Sequence, residues 1–458
     1  MLFSSSIFIL IFLPITLGLY YAFADNRDAR TGLLIAASLV YYGWWDPRFV
    51  PLLVGLALLN WGLARAYAAG LGRFWLDLGI ALNLATLGFF KYINFLLANL
   101  FGLAGHTAPH LDVILPLGIS FFVFQKISYL IDLRRGTGPI YRLGDYCLFV
   151  FFFPQLIAGP IVRHNEIIPQ FALSLRRPEM WENFGRGLAL FIIGLLKKVA
   201  LADTLGPNVD ALFAKAAAGV PLNLGEGWAA AVGFALQIYF DFSGYSDMAI
   251  GLARMFGFEL PFNFAAPYRA QSVREFWRRW HMTLSRFLRD YLYIPLGGNR
   301  QGGARQALNV VLTMLLGGLW HGANWTFVAW GGLHGVALAV NGAFARRRWR
   351  LPGPIAWVLT MLFVLCGWVL FRAPDFATAG RLLAAMGGIG GWGPVHWDNR
   401  AVVAIAAVVA LLGPTSQEAA LARLRPTGWA AGAAAVGLVW TLLAIGGRLQ
   451  HDFIYFQF

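Results

Sequence analysis

One histidine in apolar surroundings is the residue of this chain whose position most clearly indicates chemistry. His321 stands between Trp320 and Gly322 in the run GLWHGANW, with apolar stretches on both sides. An ionisable side chain between apolar segments is costly and usually has a function. A histidine that titrates near the working pH can take a proton from a hydroxyl group. We therefore predict that His321 is a general base, with a histidine held by a backbone carbonyl as the alternative. We expect His334 to be structural.

Basic side chains crowd the preceding segment, SVREFWRRWHMTLSRFLRD. Seven arginines and two acids lie between Arg274 and Arg305. Trp277, Trp280 and His281 recur at helical spacing, which indicates an amphipathic helix. Such a helix binds anionic lipid at a membrane surface, but guanidinium groups also bind the phosphates of a donor such as coenzyme A. Both interpretations stay open, and the candidates for phosphate binding are Arg278, Arg279, Arg286 and Arg289.

The remaining motifs exclude several classes of protein. His281, His321 and His334 lack the close spacing and helper carboxylate of a zinc site, so we predict no metal. The chain has no Walker-type loop and no nucleophile elbow, which argues against an ATP-driven pump and a serine hydrolase. The net charge of +14 is typical of basic cytoplasmic loops. Because no soluble basic domain carries this charge, we expect no nucleic-acid partner.

The elements that must position these residues are membrane helices. Hydrophobic residues make up 59% of the chain and charged residues 13%, whereas soluble domains have roughly 25% charged residues. The apolar runs predict an all-α polytopic bundle of about 11 to 13 membrane-embedded helices, some tilted or re-entrant. The run LFVFFFPQLIAGPIV at 148–162 contains two prolines, so we expect either a re-entrant element lining a cavity or a kinked span.

Two carboxylates interrupt a long apolar run at QIYFDFSGYSD. Asp241 and Asp247 are the acids of this segment. Carboxylates inside a membrane usually face the bundle interior or a wet pathway. The alternative is that both lie at the membrane boundary and bind backbone amides or arginines.

Several long strings resemble the membrane-bound O-acyltransferase family, in its bacterial polysaccharide branch. The main strings are DFSGYSDMAIGLARMFGFELPFNFAAPYRAQSVREFWRRWHMTLSRFLRDYLYIPLGGNR and GLWHGANWTFVAWGGLHG. Further matching pieces lie at 116–133, 152–167, 194–203 and 367–372 and in the C-terminal FIYFQF, while residues 373–450 match loosely. The resemblance implies one transmembrane domain over 1–458, with a motif-bearing core at about 112–344 and a central tunnel.

The resemblance also implies site residues and a donor. The invariant catalytic histidine of the family falls on His321, and its second polar position falls on His281. The donor is expected to be acetyl-CoA or another phosphopantetheine thioester, used as a substrate, with no bound cofactor. His281 or Asn263 would orient the thioester or stabilise the oxyanion. The further candidates for the donor site and tunnel are Asn263, Trp320, Asn324, Arg278, Arg279, Arg286 and Arg289.

The function expected from the resemblance is transfer of acetyl from a cytoplasmic thioester towards a hydroxyl, for O-acetylation of an extracytoplasmic polysaccharide of alginate or cellulose type. The protein would lie in the bilayer of the bacterial inner membrane and act with a periplasmic acetyltransferase partner. A D-alanyl transferase for teichoic acid and a peptidoglycan O-acetyltransferase are alternatives. A transporter or channel would favour an inverted repeat with paired broken helices, and the sequence shows none.

Overall fold

The described part of the protein is built from helices, which are joined by tight turns and by longer loops such as 104–118 and 387–399. The computed structural model describes residues 1–425, 427–446 and 453–454, and this part of the chain contains no β-strand. Residues 455–458 of the C-terminal FIYFQF string lie outside the described residues. The predicted all-helical membrane architecture is confirmed.

The chain divides into two compact units. Unit 1 comprises residues 1–193, 245–261 and 424–446, and unit 2 comprises residues 194–244, 262–423 and 447–458. The helix α12 (Leu224–Met255) contributes residues to both units. The single transmembrane domain over 1–458 stays a prediction.

Unit 1 holds most of the first half of the chain. Its helices are α1 (Leu13–Ala22), α2 (Arg27–Gly43), α3 (Val50–Ala66), α4 (Phe74–Leu87), α5 (Ile93–Leu103), α6 (Ile119–Arg134), α7 (Leu143–Phe151), α8 (Phe153–Leu156), α9 (His164–Ile167), most of α10 (Met180–Leu196) and α20 (Gly428–Gly446).

Unit 2 holds the segments that the sequence analysis singled out. Its helices, besides the first part of α12, are α11 (Asp203–Ala217), α13 (Val273–Arg279), α14 (Met282–Leu288), α15 (Gly302–His321), α16 (Trp325–Arg346), α17 (Gly353–Arg372), α18 (Phe376–Met386) and α19 (Arg400–Leu412).

Five helical segments among the described residues are long and apolar enough to cross a membrane. They are Pro47–Leu71, Phe74–Leu103, Trp325–Arg346, Gly353–Arg372 and Gly428–Gly446, and three shorter apolar helices are Phe8–Ala22, Phe376–Met386 and Arg400–Leu412. Other helices are shorter or more polar. For example, α6 has 16 residues and buries both Lys126 and Asp132.

The proline-containing segment at 148–162 is a broken helix inside unit 1. Helix α7 ends at Phe151, and α8 is a single turn with Pro154 at its start. Every residue from 148 to 162 is buried. Side chains satisfy part of the freed backbone, because the Ser38 hydroxyl accepts the Phe153 N–H at 3.1 Å. Irregular backbone at this depth is thus enclosed by protein, as membrane proteins require.

Candidate active site

A tight helical hairpin places His321 inside unit 2. His321 is the last residue of α15, and three residues lead from it to α16. The Asn324 side chain accepts the Thr326 N–H at 3.0 Å, so it caps the N-terminus of α16. Its amide also donates to the Pro374 carbonyl at 2.8 Å. Asn324, a predicted tunnel residue, therefore fixes the turn that follows His321.

Aromatic rings enclose the His321 imidazole, which is 4% exposed. Its ring centroid lies 5.3 Å from that of Trp330, at an interplanar angle of 89°. Phe371 lies at 5.3 Å and Trp320 at 5.0 Å, both also edge-on. These contacts come from α15, α16 and α17, so three helices together determine the orientation of the imidazole.

His281 occupies the short break between α13 and α14. Its backbone has φ 43° and ψ 52°, the left-handed conformation, which a residue other than glycine rarely adopts. The turn is held because Met282 N–H donates to the Asn263 carbonyl at 3.0 Å and Trp280 N–H donates to the Phe276 carbonyl at 2.7 Å. The imidazole is completely buried, and Phe242 meets it edge-on at 4.7 Å between ring centroids.

Asn263 is the polar partner of this second histidine. Its side-chain oxygen lies 3.1 Å from His281 Nδ1. The same oxygen accepts the Thr283 hydroxyl at 2.9 Å and the Thr283 backbone N–H at 3.3 Å. Asn263 is 1% exposed, so this hydrogen-bond group is closed off from solvent by protein.

The fold brings the two predicted histidines together. They are 40 residues apart in sequence, and their ring centroids lie 6.5 Å apart. Trp320 contacts both, with its ring centroid 6.3 Å from that of His281. His334 accepts the Trp277 indole N–H on Nδ1 at 3.1 Å, and its ring centroid lies 4.9 Å from that of Trp330, which also packs on His321. The geometry therefore gives the two predicted site imidazoles close together, with His334 on the other side of Trp330 and bonded to Trp277.

A cavity of about 550 Å³ lies between α13, α14, α15 and α16. Its interior is apolar, with Leu288, Val310, Met314 and Leu338 among its lining residues. None of the described residues that line it is acidic. A cavity that combines apolar walls with several guanidinium groups suits an amphiphilic anion. The arginines that line it are Arg274, Arg278, Arg286, Arg289 and Arg346.

Three of the four arginines predicted to bind phosphate line this cavity. Arg278, Arg286 and Arg289 line it, whereas Arg279 does not. Arg279 forms an ion pair with Glu275 at 2.8 Å and donates to the Ala265 carbonyl at 3.1 Å. Arg274 and Arg346 line the cavity although the sequence analysis did not single them out. Arg346 begins the basic run RRRWR at 346–350, and the packing of α16 brings it to the cavity.

Asp241 on α12 belongs to a buried ion cluster. The sequence analysis singled out this carboxylate but not its cationic partner. Asp241 is 1% exposed and pairs with Lys198 at 2.6 Å. Lys198 also pairs with Asp203 at 2.8 Å, and the second oxygen of Asp241 accepts the Ile454 N–H at 2.8 Å. Asp241 thus faces the interior and also binds a backbone amide. The two lysines of GLLKKVALAD at 194–203 were the sequence feature that could have indicated this cationic partner.

The described residues contain no group of three or more histidine, cysteine or acidic side chains that could hold a metal ion. The helical membrane fold and the buried histidine pair define a membrane-embedded class of protein with a site suited to proton transfer. A family model described as MBOAT, membrane-bound O-acyltransferase family, matches residues 135–372. The chain belongs to this family and is an O-acyltransferase.

Named relatives extend the match beyond this region. A probable alginate O-acetylase AlgI of Pseudomonas putida is 45% identical over 86% of this chain and 81% of the relative. A peptidoglycan O-acetyltransferase of Helicobacter pylori is 41% identical over 88% of this chain and 82% of the relative. A teichoic acid D-alanyltransferase of Streptococcus thermophilus is 31% identical over 51% of this chain and 58% of that relative.

Proposed function

We propose that this protein moves an acetyl group from a cytoplasmic thioester towards a hydroxyl acceptor, for O-acetylation of an extracytoplasmic polysaccharide of alginate or cellulose type. The observation that carries the chemistry is the pair of buried imidazoles, His281 and His321, whose centroids lie 6.5 Å apart. The names of the alginate O-acetylase relatives, at 45% identity over 86% of the chain, support the polymer class.

The arginine-lined cavity of unit 2 is the proposed donor site. Acetyl-CoA or another phosphopantetheine thioester has phosphate groups joined to a long arm that ends in the thioester. Guanidinium groups bind phosphate through paired hydrogen bonds, and Arg274, Arg286 and Arg346 would meet it at the cavity wall. The lining residues Trp277 and Met282 lie on either side of His281 in the sequence, so the arm would run towards the histidine pair.

The proposed reaction joins an oxygen to the acyl carbon. The acceptor oxygen attacks the carbonyl carbon of the thioester, a C–O bond forms, and the C–S bond breaks. The hydroxyl proton passes to an imidazole of the histidine pair, and the departing sulfur takes up a proton. The rings around His321 exclude water from this step, which strengthens hydrogen bonds to the developing charge.

Peptidoglycan is the second candidate acceptor polymer. The Helicobacter pylori relative is 41% identical over 88% of the chain, close to the alginate O-acetylases in both respects. Teichoic acid D-alanylation has weaker support, because that relative matches only 51% of the chain. Chemical analysis of the acyl group and the polymer in one strain separates all three.

The location of the protein in the cell is part of the same proposal. A multi-pass helical protein with bacterial relatives suits the inner membrane, where a cytoplasmic donor and an extracytoplasmic acceptor approach from opposite faces. We further propose that a periplasmic acetyltransferase receives the acetyl group and completes its transfer to the polymer. Loss of O-acetyl groups after deletion of that partner alone, with this protein still present, is the expected result.

Substitution of His321 tests the proposed function. A deletion strain complemented with His321→Ala should produce envelope polysaccharide without O-acetyl groups, as measured by NMR of the purified polymers. His334→Gln serves as the matched control, since it changes a buried histidine that is outside the pair. Normal acetylation by His321→Ala, at normal membrane expression, would contradict the proposal, as would unchanged acetyl content of every envelope polymer in the deletion strain.

A further inference from the structure

Two arginines of the cavity in unit 2 converge on one point. A Cβ atom at Gly342 would lie 3.5 Å from Arg346 Nη1 and 3.6 Å from Arg274 Nη2. The two nitrogens are therefore no further apart than the sum of these distances. All three residues line the cavity. Charge-assisted N–H···O bonds are about 2.7–2.9 Å long, so one phosphate group that offers an oxygen to each guanidinium spans this gap.

The packing holds both guanidinium groups in place. Arg346 is the last residue of α16, and its side chain reaches back over Gly342, one turn earlier, as helical side chains do. Its Nη1 donates to the Gln306 side-chain oxygen at 3.1 Å. The Arg274 backbone N–H donates to the Asn341 side-chain oxygen at 3.1 Å. The start of α13 is therefore tied to α16 beside Gly342, and the arginine pair is formed before any ligand arrives.

No carboxylate neutralises this arginine pair within the part of the chain that the structure describes. The contrast is Arg279 on the same short helix, which pairs with Glu275 at 2.8 Å. Arg274 and Arg346 form no such ion pair with a described residue. Two like charges in so small a space repel each other, and an anion between them removes that cost. The pair is thus an anion site by charge as well as by geometry.

The arginine pair lies at the end of the cavity that is remote from His321. Gln306, which holds Arg346, and His321 both belong to α15. From the rise of 1.5 Å per residue, the level of the pair is about 22 Å from His321 along the helix axis. The apolar lining residues Val310 and Met314 lie on the stretch of α15 between them. A donor bound here therefore has to be long.

A phosphopantetheine arm is too short to place its own phosphate at this pair. About 13 bonds separate the phosphorus and sulfur atoms of the arm, and an extended chain advances roughly 3.5 Å for every three bonds, so the arm spans roughly 15 Å. With the thioester at His321, the phosphate of the arm stops roughly 7 Å short of the level of Arg274 and Arg346. Coenzyme A carries a further phosphate beyond the arm, on the 3′-oxygen of its adenosine. This group is the part of the donor that reaches the arginine pair.

The arginines of the α14 segment lie closer to His321. A Cβ atom at Gly317 would lie 3.1 Å from Leu288 Cδ1, so α14 meets α15 about one turn before His321. Arg286 and Arg289 stand on either side of Leu288 in the sequence and line the cavity. The cavity thus presents arginines at two levels, as a donor with two separate phosphate-bearing parts requires.

We propose that Arg274 and Arg346 bind the 3′-phosphate of a coenzyme A thioester and thereby select this donor over a phosphopantetheine arm on a carrier protein. The inference rests on the proposed acyl transfer and names its donor. The diphosphate of coenzyme A meets the arginines of the α14 segment, and the arm runs along the apolar wall of α15 towards His321. An arm on a carrier protein has one phosphodiester and leaves Arg274 and Arg346 without an anion.

Three acetyl thioesters that share the same arm test this specificity. Purified protein in phosphatidylcholine vesicles would be assayed with acetyl-CoA, with acetyl-dephospho-CoA, which lacks only the 3′-phosphate, and with acetyl-4′-phosphopantetheine. Loss of the 3′-phosphate should raise the donor KM about 10- to 100-fold, the range expected for charge-assisted hydrogen bonds, with little change in kcat. Equal KM values for acetyl-CoA and acetyl-dephospho-CoA would overturn the proposal, as would a higher kcat/KM for an acetylated carrier protein than for acetyl-CoA.

Substitutions assign the preference to the arginine pair. Arg274→Gln and Arg346→Gln should each raise the KM for acetyl-CoA about 10-fold and leave the KM for acetyl-dephospho-CoA unchanged. The double variant should no longer distinguish the two donors. Arg305→Gln, which changes an exposed arginine of α15 outside the cavity lining, should keep the full preference. A preference for the 3′-phosphate that survives in the double variant would contradict the assignment.

An anionic lipid headgroup is the other source of phosphate for this site. The assay in phosphatidylcholine vesicles contains no anionic lipid, so an effect of Arg346→Gln there belongs to the donor. If the effect appears only after phosphatidylglycerol is added, the pair binds lipid and the proposal is wrong.

Binding measured without turnover separates this inference from the proposed function. CoA and dephospho-CoA would be titrated by calorimetry into wild-type protein and into His321→Ala. Both proteins should bind CoA about 10-fold more tightly or better, because the arginine pair is remote from His321. If CoA is preferred in binding but no acetyl group is transferred, the proposed function alone fails. If all three thioesters are used with equal KM, the donor assignment alone fails.

Discussion

Gly331 sets the distance between the two helices of the hairpin that presents His321. A Cβ atom at Gly331 would overlap the carbonyl oxygen of Met314 on α15, and it would lie 3.0 Å from the Met314 carbonyl carbon and 3.1 Å from Gly318 Cα. These are backbone atoms, which cannot move aside independently. Gly331→Ala must therefore push α15 and α16 apart.

The size of the effect follows from these distances. Carbon atoms make favourable contacts at about 3.5–4.0 Å, so the helices must separate by roughly 0.5–1 Å. Overpacking of this kind typically costs about 1–3 kcal/mol of stability. His321 follows Met314 on the same helix by two turns, or about 10 Å. A displacement of about 1 Å at a reacting group can lower a rate by ~10²-fold, so we expect transfer activity to fall by that order.

The neighbouring glycine supplies the control. A Cβ at Gly332 would lie 3.1 Å from Leu315 Cδ2, the tip of a flexible side chain that can turn away. Acetyl transfer from labelled donor would be measured in membrane vesicles containing Gly331→Ala or Gly332→Ala at equal protein amounts. Equal activity of the two variants would refute the argument that backbone contact between α15 and α16 positions His321.

Two further predictions concern the cavity and the ion cluster. Arg274→Gln or Arg286→Gln should raise the donor KM about 10-fold, or ~1.4 kcal/mol, with kcat retained, while Arg305→Gln outside the cavity should change neither. If all three variants raised the donor KM equally and only at low salt, the arginines would attract the donor through non-specific charge, which would contradict a specific site. Lys198→Met removes the cation that pairs with Asp241 and Asp203. Thermal unfolding in detergent should therefore show that the free energy of unfolding falls by about 3–5 kcal/mol. Adding Asp241→Asn should restore part of that loss, and no restoration would contradict the ion-pair account.

The helical membrane fold could be predicted because composition and apolar length report it directly. The Trp325–Arg346 and Gly353–Arg372 helices are long and apolar enough to cross a membrane. The position of buried charges was harder to predict than the helices that carry them, because α6 buries Lys126 in an otherwise apolar run. Local sequence gives the length of a helix, whereas tertiary packing decides whether a charged residue lies inside it.

The candidate site could be predicted only for residues whose neighbours in the sequence already make them unusual. His321 stood out as an ionisable group between apolar runs, and its meeting with His281 depends on a break between α13 and α14 that periodicity did not predict. The helical spacing of Trp277, Trp280 and His281 indicated one continuous helix, but the chain turns at His281 instead. Arg346 reaches the cavity through long-range packing of α16, which no local pattern encodes.

Thiol release by the purified protein in lipid vesicles tests the central claim most directly. With acetyl-CoA on the outside and a hydroxyl acceptor present, free coenzyme A thiol would be followed with a thiol reagent. The account predicts thiol release that depends on the acceptor and is lost in His321→Ala. Equal release by His321→Ala and wild-type protein, at matched amounts of folded protein, would contradict it.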